Sequence, residues 1–337
     1  MKVKRISLIY ILTAIPSFLF TLLERKFFDK PNNFKYLQSA GNEISFYEQA
    51  DYFAKYFDIS NSIFLLSESK LFILTNSIIS KIFFDEVYLK FPMMILINII
   101  IGYLIIYVIN TKFKYNSSIY IDIIIVSVIL TYSLVLLRDV WVILFVLVNY
   151  ISIKKNNYLI WFITLIILFD LRIFSFLLQI ILTSKYIVDK KYLSVFFLSI
   201  SLILAYNFLY LIDDFLFTYN KYRLAEIDEV STSGITSLIS NIIPLFWAIR
   251  ITFLLSPVPT LLLKISSVYS LIIGISSMIT LVWIYIVSKI NFKNSLYYLI
   301  PIFIIAFTSA EVRHKVPYML LMLVLFYGDE KKGFISN

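Results

Sequence analysis

The chain of 337 residues is 60% hydrophobic and 15% charged, with a mean hydropathy of +0.87. Soluble domains carry about 25% charged residues, so an ordinary soluble globular protein is excluded, and the apolar runs do not alternate as β-barrel strands do. Cysteine is absent and His314 is the one histidine, which rules out disulfides, thiolate nucleophiles and Cys- or His-cluster metal sites; the net charge of +9 is read as sidedness across a membrane rather than as nucleic-acid binding.

Met1–Arg5 is basic and precedes the apolar run Ile6–Leu23, the pattern of an uncleaved signal anchor in which no small-residue cleavage site follows the apolar stretch. Residues 24–87 read as a loop on the outer side. Within it, Phe46, Phe53 and Phe57, and then Leu71, Leu74, Ile78 and Ile82, recur at helical spacing. They predict two amphipathic helices lying on the membrane near 44–57 and 67–84. Further crossings are expected near 88–110, 119–137, 140–153, 157–169, 173–188, 192–210, 264–288, 295–309 and 316–328, since such runs approach the roughly 30 Å of a hydrocarbon core. The loop 211–232 is acidic. The apolar stretch 233–262 contains Pro244, Arg250, Pro257 and Pro259 and is expected to be re-entrant or interfacial, where irregular backbone must be covered by protein or line a cavity.

The expected fold class is therefore all-α: one polytopic transmembrane domain over residues 1–337, with about ten crossings and both termini in the cytoplasm. Charge sidedness supports that parity. The segments placed in the cytoplasm hold 14 basic and four acidic residues, and the rest of the chain holds 16 and 17, as the positive-inside rule requires.

Arg138-Asp139 and Asp170-x-Arg172 fall inside apolar tracts, where each charge at mid-bilayer costs about 2.5–3.5 kcal/mol on insertion scales. As one helix, 119–153 would be about 52 Å long, so the chain must turn, and Arg138-Asp139 is the polar break. Asp170 and Arg172 would point about 200° apart on one helix, so a second turn is expected there. Two shallow hairpins would bring the four charges together below the outer surface. One reading is an ion pair, Asp139 with Arg172 or Asp170 with Arg138, that locks the hairpins. The other is a pocket for a lipid phosphate, which arginine binds through a planar fork that stays charged. Glu311-Val-Arg313-His314-Lys315-Val-Pro317 reads either as an interfacial anchor or as a second phosphate clamp above the same cavity. In the first outer loop, Glu48 and Asp51 stand three apart and share a helix face, with Tyr52 and Tyr56 following. They form either a solvated acidic face or a general base for an acceptor hydroxyl.

Taken in order, the signal anchor, the Asp51-Tyr52 element of the first loop and the run Phe84-Asp85-Glu86-Val87-Tyr88-Leu89-Lys90-Phe91 lead into a helix with Asn98 and Gly102. The turns Leu137-Arg138-Asp139 and Phe169-Asp170-Leu171-Arg172 follow, and the chain closes with Glu311–Pro317 before the last helix. This order resembles the GT-C superfamily of integral-membrane glycosyltransferases, in the branch of protein mannosyltransferases and lipid A aminoarabinose transferases. The resemblance implies transfer of a sugar from a polyprenyl-phosphate-linked donor to a lipid or glycan acceptor, at a site on the outer face of a bacterial inner membrane, in surface-polysaccharide or O-antigen assembly. It implies a base at Asp51, with Glu48 and Asp29 as alternatives. It also implies donor-phosphate binding by Arg138, Arg172 and Arg313, with Asp139, Asp170, His314 and Lys315 around them. No cofactor or metal is called for, and nucleic acid is not expected as a partner. A repeat-unit polymerase and a lipid-linked oligosaccharide flippase or transporter are the other functions compatible with these residues.

Overall fold

A computed structural model describes residues 5–24, 40–56, 69–83, 87–187, 268–291, 296, 298–302 and 314–328. The expected crossing 192–210, the acidic loop 211–232, the segment 233–262, and Asp29, Glu311 and Arg313 lie outside the described residues. Among the described residues the chain is helical and contains no strand.

The helices are α1 (Arg5–Glu24), α2 (Ala40–Tyr56), α3 (Lys70–Ile82), α4 (Val87–Lys112), α5 (Ile119–Ser133), α6 (Asp139–Lys154), α7 (Tyr158–Leu171), α8 (Ile173–Ile187), α9 (Val268–Ser277), α10 (Ile279–Lys289) and α11 (Val316–Phe326). Among the described residues three stretches are long and apolar enough to cross a membrane, Arg5–Leu23, Leu89–Lys112 and Val268–Lys289, and α5, α7 and α11 are shorter apolar helices. These elements are compatible with a membrane protein.

Local chemistry sets the helix starts. Ser118 caps α5 by accepting from the Ile121 amide at 3.5 Å, and Asn157 caps α7 by accepting from the Ile160 amide at 3.2 Å, each satisfying one of the amides a helix start leaves open. Two reversals follow the expected polar breaks. The helix expected over 119–137 stops at Ser133, and α6 begins at Asp139; the turn thus includes Leu134–Arg138. At the second break, α7 ends at Leu171 and α8 starts at Ile173. Each of these four helices is only about 21–24 Å long at 1.5 Å per residue, short of a full crossing.

α6 forms the centre of the bundle, contacting α4, α5, α7, α8 and α11, while α5 packs against α1, α4 and α9. The ion pair of Arg5 Nε with Asp122 Oδ2, 2.6 Å, ties the starts of α1 and α5 together. The Asn116 amide donates to the Tyr327 carbonyl at 3.1 Å, bringing the end of α11 to that same end. We call this the Arg5 end and the opposite one the Arg138 end.

Glycine matters at one crossing although the chain has no small-residue repeat. A Cβ on Gly102 would lie 2.1 Å from Tyr10 Oη, 2.5 Å from Ser133 Oγ and 3.0 Å from Ile129, so α1, α4 and α5 meet where only hydrogen fits. α3 is two-faced. Phe72, Ile73 and Ile79 are buried against the protein, whereas Ile78 and Ile82 of the sequence-read stripe are exposed.

Candidate functional site

The two turns and the start of α3 converge at the Arg138 end. Arg172 Nη2 donates to Asp139 Oδ1 at 2.6 Å, and the residues are 3% and 2% exposed. This is the pairing that locks one hairpin to the other. Asp170 takes no part in it. Its Oδ1 accepts from the Lys70 amide at 3.1 Å and its Oδ2 from the Leu71 amide at 2.9 Å, so a carboxylate about 100 residues away in sequence caps α3 and meets its positive dipole end.

Ser69 joins these parts. Its amide donates to the Asp170 carbonyl at 2.7 Å, its hydroxyl donates to the Leu171 carbonyl at 3.1 Å and accepts from Arg138 Nη1, and its carbonyl accepts from the Ile73 amide at 3.0 Å. Its φ of 76° is in the left-handed region, which a non-glycine residue enters at a cost of about 1–3 kcal/mol. The hydrogen bonds on both sides of the residue fix that conformation. Arg138, half-buried, also lies over the Phe46 ring of α2 at 5.8 Å, within the range for cation–π attraction.

The first turn is further pinned by Asn98. Its Nδ2 donates to the Val135 and Leu137 carbonyls at 2.8 and 3.1 Å, and its Oδ1 accepts from Trp141 Nε1 at 2.9 Å. The Leu137 carbonyl, and the Val135 carbonyl that also accepts from the Leu137 amide at 2.9 Å, thus receive bonds from a side chain of α4, as buried backbone groups need partners.

Among the described residues Arg172 keeps two donors without acceptors: Nε and Nη1 are buried and have no hydrogen-bond partner there. Lys315, at the start of α11 and 1% exposed, has none for Nζ among the described residues. Tyr318, one turn along α11 from Lys315, donates its hydroxyl to the Ser175 carbonyl at 2.9 Å, three residues from Arg172. Burial pushes the Lys315 ammonium down to about 7, because desolvation disfavours the charged form. His314 lies beside Lys315 at the same helix start.

Asp51 sits on α2, five residues beyond Phe46 and therefore about 7.5 Å further along that helix. Its Oδ1 accepts from Ser80 Oγ on α3 and from Lys90 Nζ on α4, both at 2.6 Å. Burial pushes the carboxyl up, but the hydrogen bonds from Lys90 and Ser80 and the nearby Lys90 and Lys55 charges outweigh it and hold the group below the usual carboxylate value. Neither bond uses Oδ2, and the side chain is 36% exposed. Tyr47 is pushed up to about 12 by burial and by the Asp51 charge. Glu48 is exposed on the same helix.

The structure thus brings Arg138, Asp139, Asp170 and Arg172 into one cluster, and a bond from Tyr318 of α11, whose start holds Lys315, reaches α8 three residues beyond Arg172. Asp51 is anchored on the helix that reaches the cluster through Phe46. Ser69, Lys90 and Tyr318 were not singled out as site residues from sequence. Lys90 carried a legible signal, an amine at the edge of an apolar run. Ser69 carried none, because its role depends on two turns that fold against it. Searches against family models, characterised proteins and solved structures found no match for this chain. Among the described residues, no group of three or more His, Cys, Asp or Glu side chains could hold a metal ion.

Proposed function

We propose that the protein is a membrane glycosyltransferase that takes a sugar from a polyprenyl-phosphate-linked donor on the outer face of a bacterial inner membrane, in surface-glycan assembly. The observation that carries this reading is the pair of buried cations, Arg172 and Lys315, whose Nε, Nη1 and Nζ have no acceptor among the described residues. Buried donors are nearly always satisfied, and a buried ammonium or guanidinium short of partners is expensive. A phosphate entering between the starts of α8 and α11 would supply the missing acceptors through charge-assisted bonds.

In this reading the acceptor oxygen attacks the anomeric carbon and the bond from that carbon to the phosphate oxygen breaks. The phosphate leaves with the electron pair, and its growing charge is met by Arg172 and Lys315. Arg138 holds the turn through Ser69 and Phe46, which makes it a positioning residue. Asp51, kept ionised by Lys90 and Ser80, orients the acceptor hydroxyl through Oδ2 and takes up its proton. Its lowered basicity limits it as a base, so orientation is the larger part of its role.

The test is sugar transfer from a synthetic polyprenyl-phosphate sugar by the purified full chain in lipid vesicles. Lys315→Met removes one unpartnered ammonium from the interior, and by that measure does not harm folding. The reading expects stable protein with donor KM raised at least tenfold. A stable Lys315→Met protein with unchanged KM would reject the phosphate site.

A further inference from the structure

α6 and α8 both start at the Arg138 end and pack side by side. They run in step. Arg172 meets Asp139, and two turns further along both helices, about 10.5 Å, Gln179 Nε2 donates to the Val146 carbonyl at 3.3 Å; each pair is separated by 33 residues in sequence. Beyond them, Tyr186 Oη lies 3.0 Å from Tyr150 Oη. A polar seam thus descends through an apolar bundle, and its central station has acceptors left over among the described residues.

Two carboxamides meet at that station. Asn149 Nδ2 donates to the Trp161 carbonyl and to Thr164 Oγ1 of α7, both at 2.8 Å. These acceptors fix which way round the amide lies, since turning it over would set its oxygen against the Trp161 carbonyl oxygen. The Val146 carbonyl fixes Gln179 in the same way. Both side chains are fully buried, and Asn149 Oδ1 and Gln179 Oε1 have no hydrogen-bond partner among the described residues.

The two oxygens belong to one level of the seam. A helix carbonyl points along its helix toward the residue four further on. The Val146 carbonyl therefore draws the Gln179 amide toward the turn of α6 that carries Asn149.

Two buried acceptors side by side call for a ligand that donates twice, because buried polar groups are nearly always satisfied. A monovalent cation also accepts neutral oxygens as ligands. Stripping an ion of its hydration for two neutral groups is penalised heavily, however. A water molecule supplies two donors and brings no charge, and interior water is held where two or more polar partners converge.

We propose that a water molecule is bound between α6 and α8 at mid-bundle, donating one hydrogen to Asn149 Oδ1 and the other to Gln179 Oε1. A bridging water is nearly as good enthalpically as a direct hydrogen bond. Through Asn149 it joins α7 to α8, so three helices share one network, and it sets the register of α8 on α6 below the Asp139–Arg172 pair. The site is independent of the glycosyltransferase reading, because it uses no residue to which that reading gives a role.

The experiment has two arms, both on the full chain. A density map of the protein in lipid nanodiscs, sharp enough to show ordered water, should hold an isolated peak about 2.5–3.0 Å from both oxygens. An empty gap, or a protein donor in its place, would overturn the proposal. So would a peak whose occupancy follows the sodium or potassium concentration. The second arm is unfolding by denaturant in mixed micelles for Gln179→Met, Asn149→Leu and the double variant. With a bridging water, Gln179→Met leaves Asn149 and the water short of a partner and should lower the folding equilibrium constant about tenfold. In the Asn149→Leu background the same change should have much less effect. In a dry seam, Gln179→Met removes an orphaned acceptor and raises the constant equally in both backgrounds, which would refute the bridge. Should Asn149→Leu fail to fold, the effect of Gln179→Met alone decides, an unchanged or raised constant counting against the water.

Discussion

The Arg172–Asp139 pair offers the sharpest test of how the bundle is held. The perturbations are Asp139→Asn, Arg172→Met and the double variant Asp139→Leu/Arg172→Met. The charged atoms are 2.6 Å apart and the residues are 2% and 3% exposed, so neither ion can be rescued by water when its partner is removed. Breaking such a pair costs about 3–5 kcal/mol. Asp139→Asn is expected at the upper end, because Arg172 then lacks a carboxylate for any of its donors and α6 loses a charge favourable to its N-terminus by a further 0.3–1 kcal/mol or so. Arg172→Met is expected at the lower end, because it also takes two unpartnered N–H groups out of the interior. The double variant replaces both ions by apolar groups of similar volume, a change that is often neutral. Its loss should fall well short of the sum of the two single losses, giving a coupling of about 3 kcal/mol. Unfolding by denaturant in mixed micelles measures all three. Single losses below about 1 kcal/mol that add simply in the double variant would refute a buried lock. The folded double variant then separates scaffold from chemistry: if Arg172 also holds the donor phosphate, transfer is lost although stability is kept.

Three further outcomes are expected. Gly102→Ala forces a methyl to within 2.1 Å of Tyr10 Oη and 2.5 Å of Ser133 Oγ and should cost about 1–3 kcal/mol by overpacking; Tyr10→Phe in the same chain should restore part of it in a thermal melt. Asp170→Ala removes the acceptors of the Lys70 and Leu71 amides and should cost about 1 kcal/mol, with hydrogen exchange accelerated first at the start of α3. For Asp51, whose carboxyl is held low in the folded chain, the stabilising contribution is complete above the unfolded value of about 3.9 and is lost as pH falls through the folded one. Asp51→Asn should therefore flatten the acid limb of the stability–pH curve, and an unchanged limb would remove Lys90 and Ser80 as the cause.

Among the described residues the sequence by itself determined the helical class, the approximate extents of the helices and the sites of reversal. Those follow from local quantities: apolar run length against a bilayer's thickness, and the penalty on an isolated charge in an apolar tract. Arg138-Asp139 and Asp170-x-Arg172 are therefore legible as turns before any fold is known. Gly102 was legible only as a residue; that three helices meet there depends on their crossing. Tertiary structure alone decided the partners. Sequence left Asp139 free to pair with Arg172, and Asp170 with Arg138, because both choices satisfy the same charge balance. Docking of α3 resolves it. The open amides of its first turn claim Asp170 and Ser69 engages Arg138, so the remaining carboxylate goes to Arg172. That arrangement leaves Arg172 with donors unused among the described residues, since what a buried cation lacks is fixed by every neighbour folded around it and not by its place in the chain.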